Sequence, residues 1–151
     1  MTVTESVTVR RLPDVVWDYT QDYARRTEWD ASVTGAESLD GEPRRARLTI
    51  AGVGEATLEH QLERRPERTS LAFTGVTSSW ISGGGGSWSY EPTGEGIGTR
   101  WTQTNTLVLK HPRLMFVARP FIRRRLASGT RRSMLRAKEI LEGRNLLTHR
   151  L

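Results

Sequence analysis

The sequence predicts a single α+β domain in which a curved, seven-stranded antiparallel sheet holds one long C-terminal helix. Two observations favour this fold class. Extended, turn-punctuated segments fill most of residues 1–109, whereas apolar residues recur at helical spacing only after residue 110. Because strands and the long helix are segregated along the chain, an α+β arrangement is favoured over an alternating α/β one.

The elements follow in a simple order. Val3, Val7 and Val9 alternate with polar residues and predict a first strand. Pro13 and Asp14 suit the first turn of a helix, so two short helices are predicted, over residues 15–19 and 22–29. Six further strands are predicted over residues 33–39, 45–51, 55–64, 70–75, 88–91 and 99–109.

A run of four glycines, 83–86, lies between Ser82 and Ser87 and would suit a flexible linker by composition alone. Strand-like residues follow it at once, however, which favours a strand that bends sharply or that lets another group approach its backbone. The glycines around residue 96 are predicted to form a hairpin loop, because they lack the strand-to-helix context of a phosphate-binding loop.

The C-terminal helix is predicted over residues 111–142. Its apolar stripe, which must be buried, consists of Leu114, Met115, Ala118, Ile122, Leu126, Met134, Ala137 and Leu141. Pro112 suits the first turn and Gly143 suits a C-terminal stop, while Pro120 is expected to bend or interrupt the helix. These limits give one domain, residues 1–143, followed by a tail, residues 144–151.

Composition narrows the classes of function. The chain has 151 residues, no cysteine and no apolar run near the roughly 20 residues that cross a bilayer, and no leader is evident, so a cytoplasmic protein without integral membrane association is expected. From Lys110 onward there are twelve Lys and Arg against two Glu, so this part carries a net charge of +10 and the preceding part −4. This basic helix suits either a solvated outer face or an interaction with nucleic acid or an anionic membrane, and the solvated face is favoured.

Three local motifs are informative, namely Leu12-Pro13-Asp14-Val15-Val16-Trp17, Glu28-Trp29-Asp30, and Tyr90-Glu91-Pro92-Thr93-Gly94 leading into Gly98-Thr99-Arg100. They resemble the helix-grip (SRPBCC) superfamily, which includes START lipid-binding domains and Bet v 1 allergens. The chain looks most like the bacterial polyketide cyclase/dehydrase group, from Val7 to Leu141. The resemblance implies a helix-grip fold around a cavity for a hydrophobic small molecule.

Strand alternation selects candidate site residues. In the fourth strand His60 shares a face with apolar neighbours, and in the last strand Gln103 and Asn105 share a face with Trp101. Trp88 and Tyr90 share a face of the strand before the last one, and Trp80 joins them if the register continues through the glycines. Apolar walls with a few polar groups are typical of a small-molecule cavity, although a fully packed core is the alternative interpretation.

The helix contributes Ile122 and Leu126 from its stripe and Arg119 beside Pro120 to the predicted ligand-binding residues, Arg119 as a partner for a ligand carboxylate or phenolate. Neither a metal-ligand spacing nor a cofactor motif is found, so no metal and no cofactor are expected. Nucleic acid is not an expected partner, and the chain is expected to be a monomer or a homodimer.

Two functional hypotheses remain open at this point. In the first, the cavity binds a polyketide-, lipid- or aromatic-like molecule and catalyses its cyclisation or dehydration, as the resemblance implies. His60 and Tyr90 would then move protons while Gln103 and Asn105 polarise carbonyls. In the second, the chain is a carrier or ligand sensor of the same fold without chemistry. A basic-helix interaction module is a third, weaker hypothesis.

Overall fold

The computed structural model describes residues 1–94 and 96–150, and of residues 144–150 only the backbone. Seven strands and three α-helices occur in these residues, with a short 3-10 turn at Tyr23–Arg25. In chain order the elements are β1 (Thr2–Val9), α1 (Pro13–Thr20), α2 (Arg26–Trp29), β2 (Val33–Leu39), β3 (Arg45–Ile50), β4 (Gly54–Arg64), β5 (Arg68–Val76), β6 (Ile81–Pro92), β7 (Thr99–Leu109) and α3 (Arg119–Arg150).

All seven strands form one antiparallel sheet in the order β1-β7-β6-β5-β4-β3-β2. Consecutive strands β2 to β7 are neighbours, as in a meander, and β1 closes onto β7 from the other side. The predicted fold class, a seven-stranded sheet with a long C-terminal helix and two short helices after the first strand, is confirmed. None of the described helices is long and apolar enough to span a membrane.

The glycine tract is part of β6 and not a linker. Gly84 pairs with Leu107 and Gly86 with Asn105, both on β7. A Cβ atom on Gly84 would collide with the carbonyl oxygen of Thr106, and one on Gly85 would lie 2.5 Å from that of Leu71. The close-approach interpretation of this tract is therefore correct, because side chains at these positions would overlap neighbouring backbone.

Helix α3 begins later than predicted. It starts at Arg119, after turns over residues 112–118, so the expectation of a helix from His111 with a break at Pro120 is wrong. Pro120 instead occupies the first turn, where the missing N–H has no partner to lose and the fixed φ suits a helix. Pro112, eight residues upstream, carries the same sequence signal and could not be told apart from it.

Helix α3 also ends later than predicted. Its backbone continues through Gly143 to Arg150, so the predicted stop at Gly143 is wrong. Gly143 does not adopt a positive φ, which a glycine helix stop requires, and a glycine inside a helix costs only about 1 kcal/mol. The assignment of residues 144–151 to a tail outside the domain stays a prediction, and Leu151 lies outside the described residues.

The buried stripe of α3 occupies its central part. Met134, Ala137 and Leu141 are buried as predicted, together with Thr130 and Ser133, and this part of the helix packs along β1 and against α2. Leu114, by contrast, is 81% exposed, so its predicted burial is wrong. It lies in the turns before α3, where the helical periodicity that grouped it with the stripe does not apply.

Candidate functional site

Apolar side chains on the inner face of the sheet and on the first half of α3 are incompletely buried, from which we infer an apolar groove between them. Four half-buried apolar side chains, Ala36, Ile50, Leu71 and Phe73, pack against a buried cluster formed by Tyr23, Val33, Ala46, Leu48 and Leu58. On the helix, Ile122 and Leu126 are half-buried as well, whereas Met134 and Ala137 have no exposed surface. The helix thus closes on the sheet over its central turns and leaves an apolar groove open beside its first turns.

Two glycines shape the floor of this groove. A Cβ on Gly84 would lie 3.2 Å from the ring of Phe73, and one on Gly86 would lie 2.9 Å from Asn105 Oδ1. The absence of side chains on β6 therefore makes room for Phe73 and Asn105 to lie over its backbone. The inner face combines an apolar wall with a polar group at this point.

The predicted amide pair forms a hydrogen-bonded network beneath α3. Trp88 Nε1 donates to Asn105 Oδ1 at 3.0 Å, and Asn105 Nδ2 donates to Gln103 Oε1 at 2.9 Å. Asn105 Nδ2 also lies 3.4 Å from Thr130 Oγ1 on α3. The network joins β6, β7 and α3, and it explains how two amides are accommodated in an apolar interior.

Aromatic rings pack around the inner end of this network. The ring centroids of Trp29, Trp88 and Trp101 lie 5.4 to 6.0 Å apart with edge-to-face geometry. Tyr90 stacks on Trp101 with an interplanar angle of 10°. These rings belong to the main core cluster, together with Met134 and Ala137 of α3. Trp88 contributes its ring to this core and its Nε1 to the amide network.

Arg26 places a positive charge inside the same region. Its guanidinium carbon lies 4.8 Å from the Trp29 ring and 4.9 Å from the Trp88 ring, and its side chain is only 12% exposed. Arg26 Nε donates to Asp30 Oδ2 at 2.9 Å. Burial would raise the pKa of Asp30, but Arg26 and the two hydrogen bonds from Ser32 hold that pKa below its usual value.

His60 is buried as predicted, and both ring nitrogens have partners. Thr69 Oγ1 donates to the carbonyl of Leu62, so it accepts from His60 Nδ1, which lies 2.8 Å away. Nε2 then accepts from the Tyr23 hydroxyl at 2.6 Å. The pKa of His60 is lowered to about 4, mainly by burial. The nearby Arg44 lowers this pKa by more than Glu63 raises it. The imidazole is therefore neutral near pH 7.

Tyr90 is also buried, with its hydroxyl between two protein groups. Thr20 Oγ1 lies 2.7 Å from the Tyr90 oxygen, and Gln21 Nε2 donates to that oxygen at 2.8 Å. Burial raises the pKa of Tyr90 to about 12, although both hydrogen bonds act in the opposite direction. The phenol therefore keeps its proton at neutral pH.

The structure brings five of the ten predicted site residues together. Trp88, Trp101, Gln103, Asn105 and Tyr90 form one continuous cluster. Trp80 does not join it, because the register shifts just after Ile81 and Trp80 Nε1 donates to the carbonyl of Gly52 at the β3–β4 turn. Arg119 is exposed at the start of α3. The roles of all ten residues in ligand binding or proton transfer stay predictions.

Sequence reasoning missed Arg26 and Thr130. An arginine in a charged stretch such as Ala24-Arg25-Arg26-Thr27-Glu28 is normally solvated. The available signal was the spacing of Arg26, Trp29 and Asp30, which places a cation, an aromatic ring and a carboxylate on one side of a helical turn. Asp22 and Glu28 have local roles, since Asp22 caps the 3-10 turn and Glu28 accepts from Tyr19.

Two surface depressions lie outside the groove. One of about 190 Å³ lies between α2 and α3 beside Trp29, Arg132 and Arg136. The other, of about 330 Å³, lies on the outer face of the sheet at the glycine tract, with Thr104 and Thr106 in its wall. Among the described side chains, no group of three or more His, Asp or Glu is arranged to hold a metal ion.

The sequence as a whole matches a known family. The model of the family described as polyketide cyclase/dehydrase and lipid transport matches residues 1–142, which is nearly the entire chain. The chain belongs to this family. The resemblance inferred from the short motifs is thereby confirmed, while no functionally curated protein matches the chain.

Solved structures with similar folds are distant in sequence. TTHA0849 from Thermus thermophilus is 17% identical, with a TM-score of 0.80 over 95% of this chain and 98% of that one. The Zhui aromatase/cyclase from Streptomyces sp. R1128 is also 17% identical, with a TM-score of 0.68 over 93% of this chain and 95% of that one. A START superfamily protein from Mycobacterium smegmatis is 14% identical, with a TM-score of 0.64 over 85% and 93%. These similarities establish the fold.

Proposed function

We propose that this member of the polyketide cyclase/dehydrase and lipid transport family binds a hydrophobic, oxygen-bearing aromatic or polyketide-like molecule in the groove between the sheet and α3. The observation that carries the proposal is the position of Arg26. Its guanidinium packs against two indole rings in a largely apolar interior. In the described part of the chain Asp30 is its one hydrogen-bond partner, through Nε, which leaves Nη1 and Nη2 for a ligand oxygen.

The surrounding chemistry suits such a ligand. Leu71 and Phe73 offer apolar surface that a planar ring system would cover, at about 25 cal/mol per Å² of apolar area removed from water. A phenolate, enolate or carboxylate oxygen accepts strong, charge-assisted hydrogen bonds from a guanidinium. Asn105 provides a second polar group beside the apolar wall, which restricts the orientation of the ligand.

Binding without turnover is favoured by the state of the predicted proton donors and acceptors. Efficient general acid–base groups have pKa values near the working pH. The pKa of His60 is about 4 and that of Tyr90 is about 12, and the polar atoms of both side chains are bonded to protein groups. This supports a carrier or sensor as the leading function.

Cyclisation or dehydration of a polycarbonyl chain is the second candidate. It is supported by membership of a family whose description includes cyclases and dehydrases, and by the similarity of fold to the Zhui aromatase/cyclase. Tyr23 and His60 form a buried phenol–imidazole pair, which could hand on a proton if a substrate displaced one of its partners. His60 and Tyr90 remain the residues proposed for proton transfer in this case.

Titration with alizarin, a dihydroxyanthraquinone, tests the binding proposal. We expect saturable quenching of tryptophan fluorescence, because Trp88 and Trp29 flank Arg26. Arg26→Gln should weaken binding by roughly tenfold or more, since it removes a charge-assisted donor pair. The matched control is Arg47→Gln, because Arg47 is half-exposed and pairs with Glu37 on neighbouring strands. Circular dichroism confirms that each variant is folded.

A second variant guards against loss of fold in Arg26→Gln. Ala36→Phe adds a ring at a half-buried position of the apolar wall and should also lower the affinity. Equal affinity of wild type and both variants would contradict the proposed site.

To separate the two candidate functions, His60→Gln and Tyr90→Phe are assayed with a polycarbonyl substrate. Loss of turnover with retained affinity would favour the enzyme, and absence of wild-type turnover would favour the carrier.

A further inference from the structure

The segment from Lys110 to Arg125 exposes large apolar side chains in an unusual number for a water-facing surface. Leu114 is 81% exposed, Phe116 71%, Val117 90% and Phe121 62%. They lie within eight residues of one another, in the turns before α3 and in its first turn. Single exposed apolar residues need no explanation, but a contiguous group of this size marks an interaction surface.

The same segment carries a concentrated positive charge that no carboxylate among the described side chains pairs with. Its cations are Lys110, Arg113, Arg119, Arg123, Arg124 and Arg125, and residues 96–138 contain no acidic residue at all. All six are exposed, and within the described residues none of them forms an ion pair. Arginines elsewhere commonly have a carboxylate partner, as Arg10, Arg44 and Arg65 do.

We propose that this segment, residues 110–125, docks the protein on the surface of an anionic lipid bilayer. Exposed Leu, Phe and Val side chains would enter the boundary between headgroups and acyl chains, while the flanking arginines bind lipid phosphates. Apolar residues combined with Lys and Arg are the composition of peripheral segments that lie in the interfacial plane. Each cation near an anionic surface contributes about 1 kcal/mol to such binding.

Other occupants of this surface fit less well. Nucleic acid would pair with the arginines but would leave Leu114, Phe116 and Val117 facing phosphates and water. A second copy of the chain, docked through the same surface, would bring six uncompensated cations against six others. An anionic bilayer satisfies the charged and the apolar parts together.

Vesicle co-sedimentation of the full chain tests this proposal. We expect binding to vesicles of equal parts phosphatidylcholine and phosphatidylglycerol, and none to phosphatidylcholine alone. Arg123→Gln/Arg124→Gln should reduce partitioning by roughly 30-fold, because two interfacial charges are removed. Phe116→Ser/Val117→Ser should reduce it by roughly tenfold, because inserted apolar area is lost. All four positions are exposed, so folding is expected to persist, as thermal unfolding will show.

Matched controls lie elsewhere on the surface. Arg64→Gln/Arg100→Gln removes two exposed charges from the sheet, and Ile97→Ser removes a side chain that is 69% exposed in the β6–β7 loop. Both should leave partitioning unchanged. Equal binding to neutral vesicles, no binding to either vesicle, or a Phe116→Ser/Val117→Ser variant with wild-type partitioning would each overturn the proposal. The proposal would also be overturned by tighter binding to a DNA duplex than to vesicles. Self-association of the wild type that is lost in Arg123→Gln/Arg124→Gln or Phe116→Ser/Val117→Ser would overturn it as well.

Discussion

His60 contributes to the pH dependence of stability, because its imidazole is buried. The hydrogen bond that its Nε2 accepts from the Tyr23 hydroxyl needs the neutral form, and Arg44 and Arg26 disfavour the protonated one. The pKa is about 4 in the fold, against 6.5 for an exposed histidine. The unfolded chain therefore binds more protons than the folded chain between these two pH values.

The folded state should accordingly lose stability as the pH falls from about 6.5 towards 4. The contribution of His60 is fully present above pH 6.5, and its loss amounts to about 3 kcal/mol in the free energy of unfolding. Urea unfolding at pH 7 and at pH 4.5 measures this slope. His60→Gln should flatten it, whereas His111→Gln, at an exposed position, should not. An unchanged slope in His60→Gln would show that the imidazole is not buried in its neutral form.

Strand alternation predicts the face to which a side chain points, but not the residues that it contacts. A period of two placed His60, Gln103 and Asn105 on the inner face, because the side-chain direction in a strand follows directly from position. It could not place Arg26 inside, because its burial depends on two tryptophans, one of them 62 residues away in β6. Nor could it show that His60 and Tyr90 are held by Tyr23, Thr20 and Gln21.

At the scale of elements, β6 depends on its glycines for its close fit between β5 and β7. Gly84→Ala should lower the free energy of unfolding by about 2 kcal/mol or more, since the added Cβ would collide with the carbonyl of Thr106 and a backbone must shift. Gly83→Ala is the matched control. A Cβ there meets nothing within 4 Å, so a change within about 0.5 kcal/mol is expected.

Chemical denaturation of the two variants measures this difference. Equal stability of Gly83→Ala and Gly84→Ala would contradict the close-approach interpretation, because both replace a strand glycine by the same residue.

The start of α3 was predicted wrongly because the sequence signal for it occurs twice. Pro112 and Pro120 give the same helix-start signal, and only the packing of the chain against β1 and α2 selects the second.

At the scale of the whole molecule, the sheet and α3 meet over only part of their length. The central turns of α3 close the core around Met134 and Trp101, while the first turns leave the wall of Leu71 and Phe73 partly uncovered. The sequence order of the elements was sufficient to predict this architecture, since a long apolar stripe needs a curved sheet to cover it. The extent of the opening was not predictable, because it depends on where α3 begins.

The absence of cysteine allows the groove to be tested directly with one introduced thiol. Leu71→Cys places a thiol on the inner wall, and Thr74→Cys places one on the exposed face of the same strand. The rate of modification by a maleimide is measured for each with and without alizarin. We expect alizarin to slow the reaction of Leu71→Cys saturably and to leave that of Thr74→Cys unchanged. Equal rates for Leu71→Cys with and without saturating alizarin would show that the ligand does not bind at this wall.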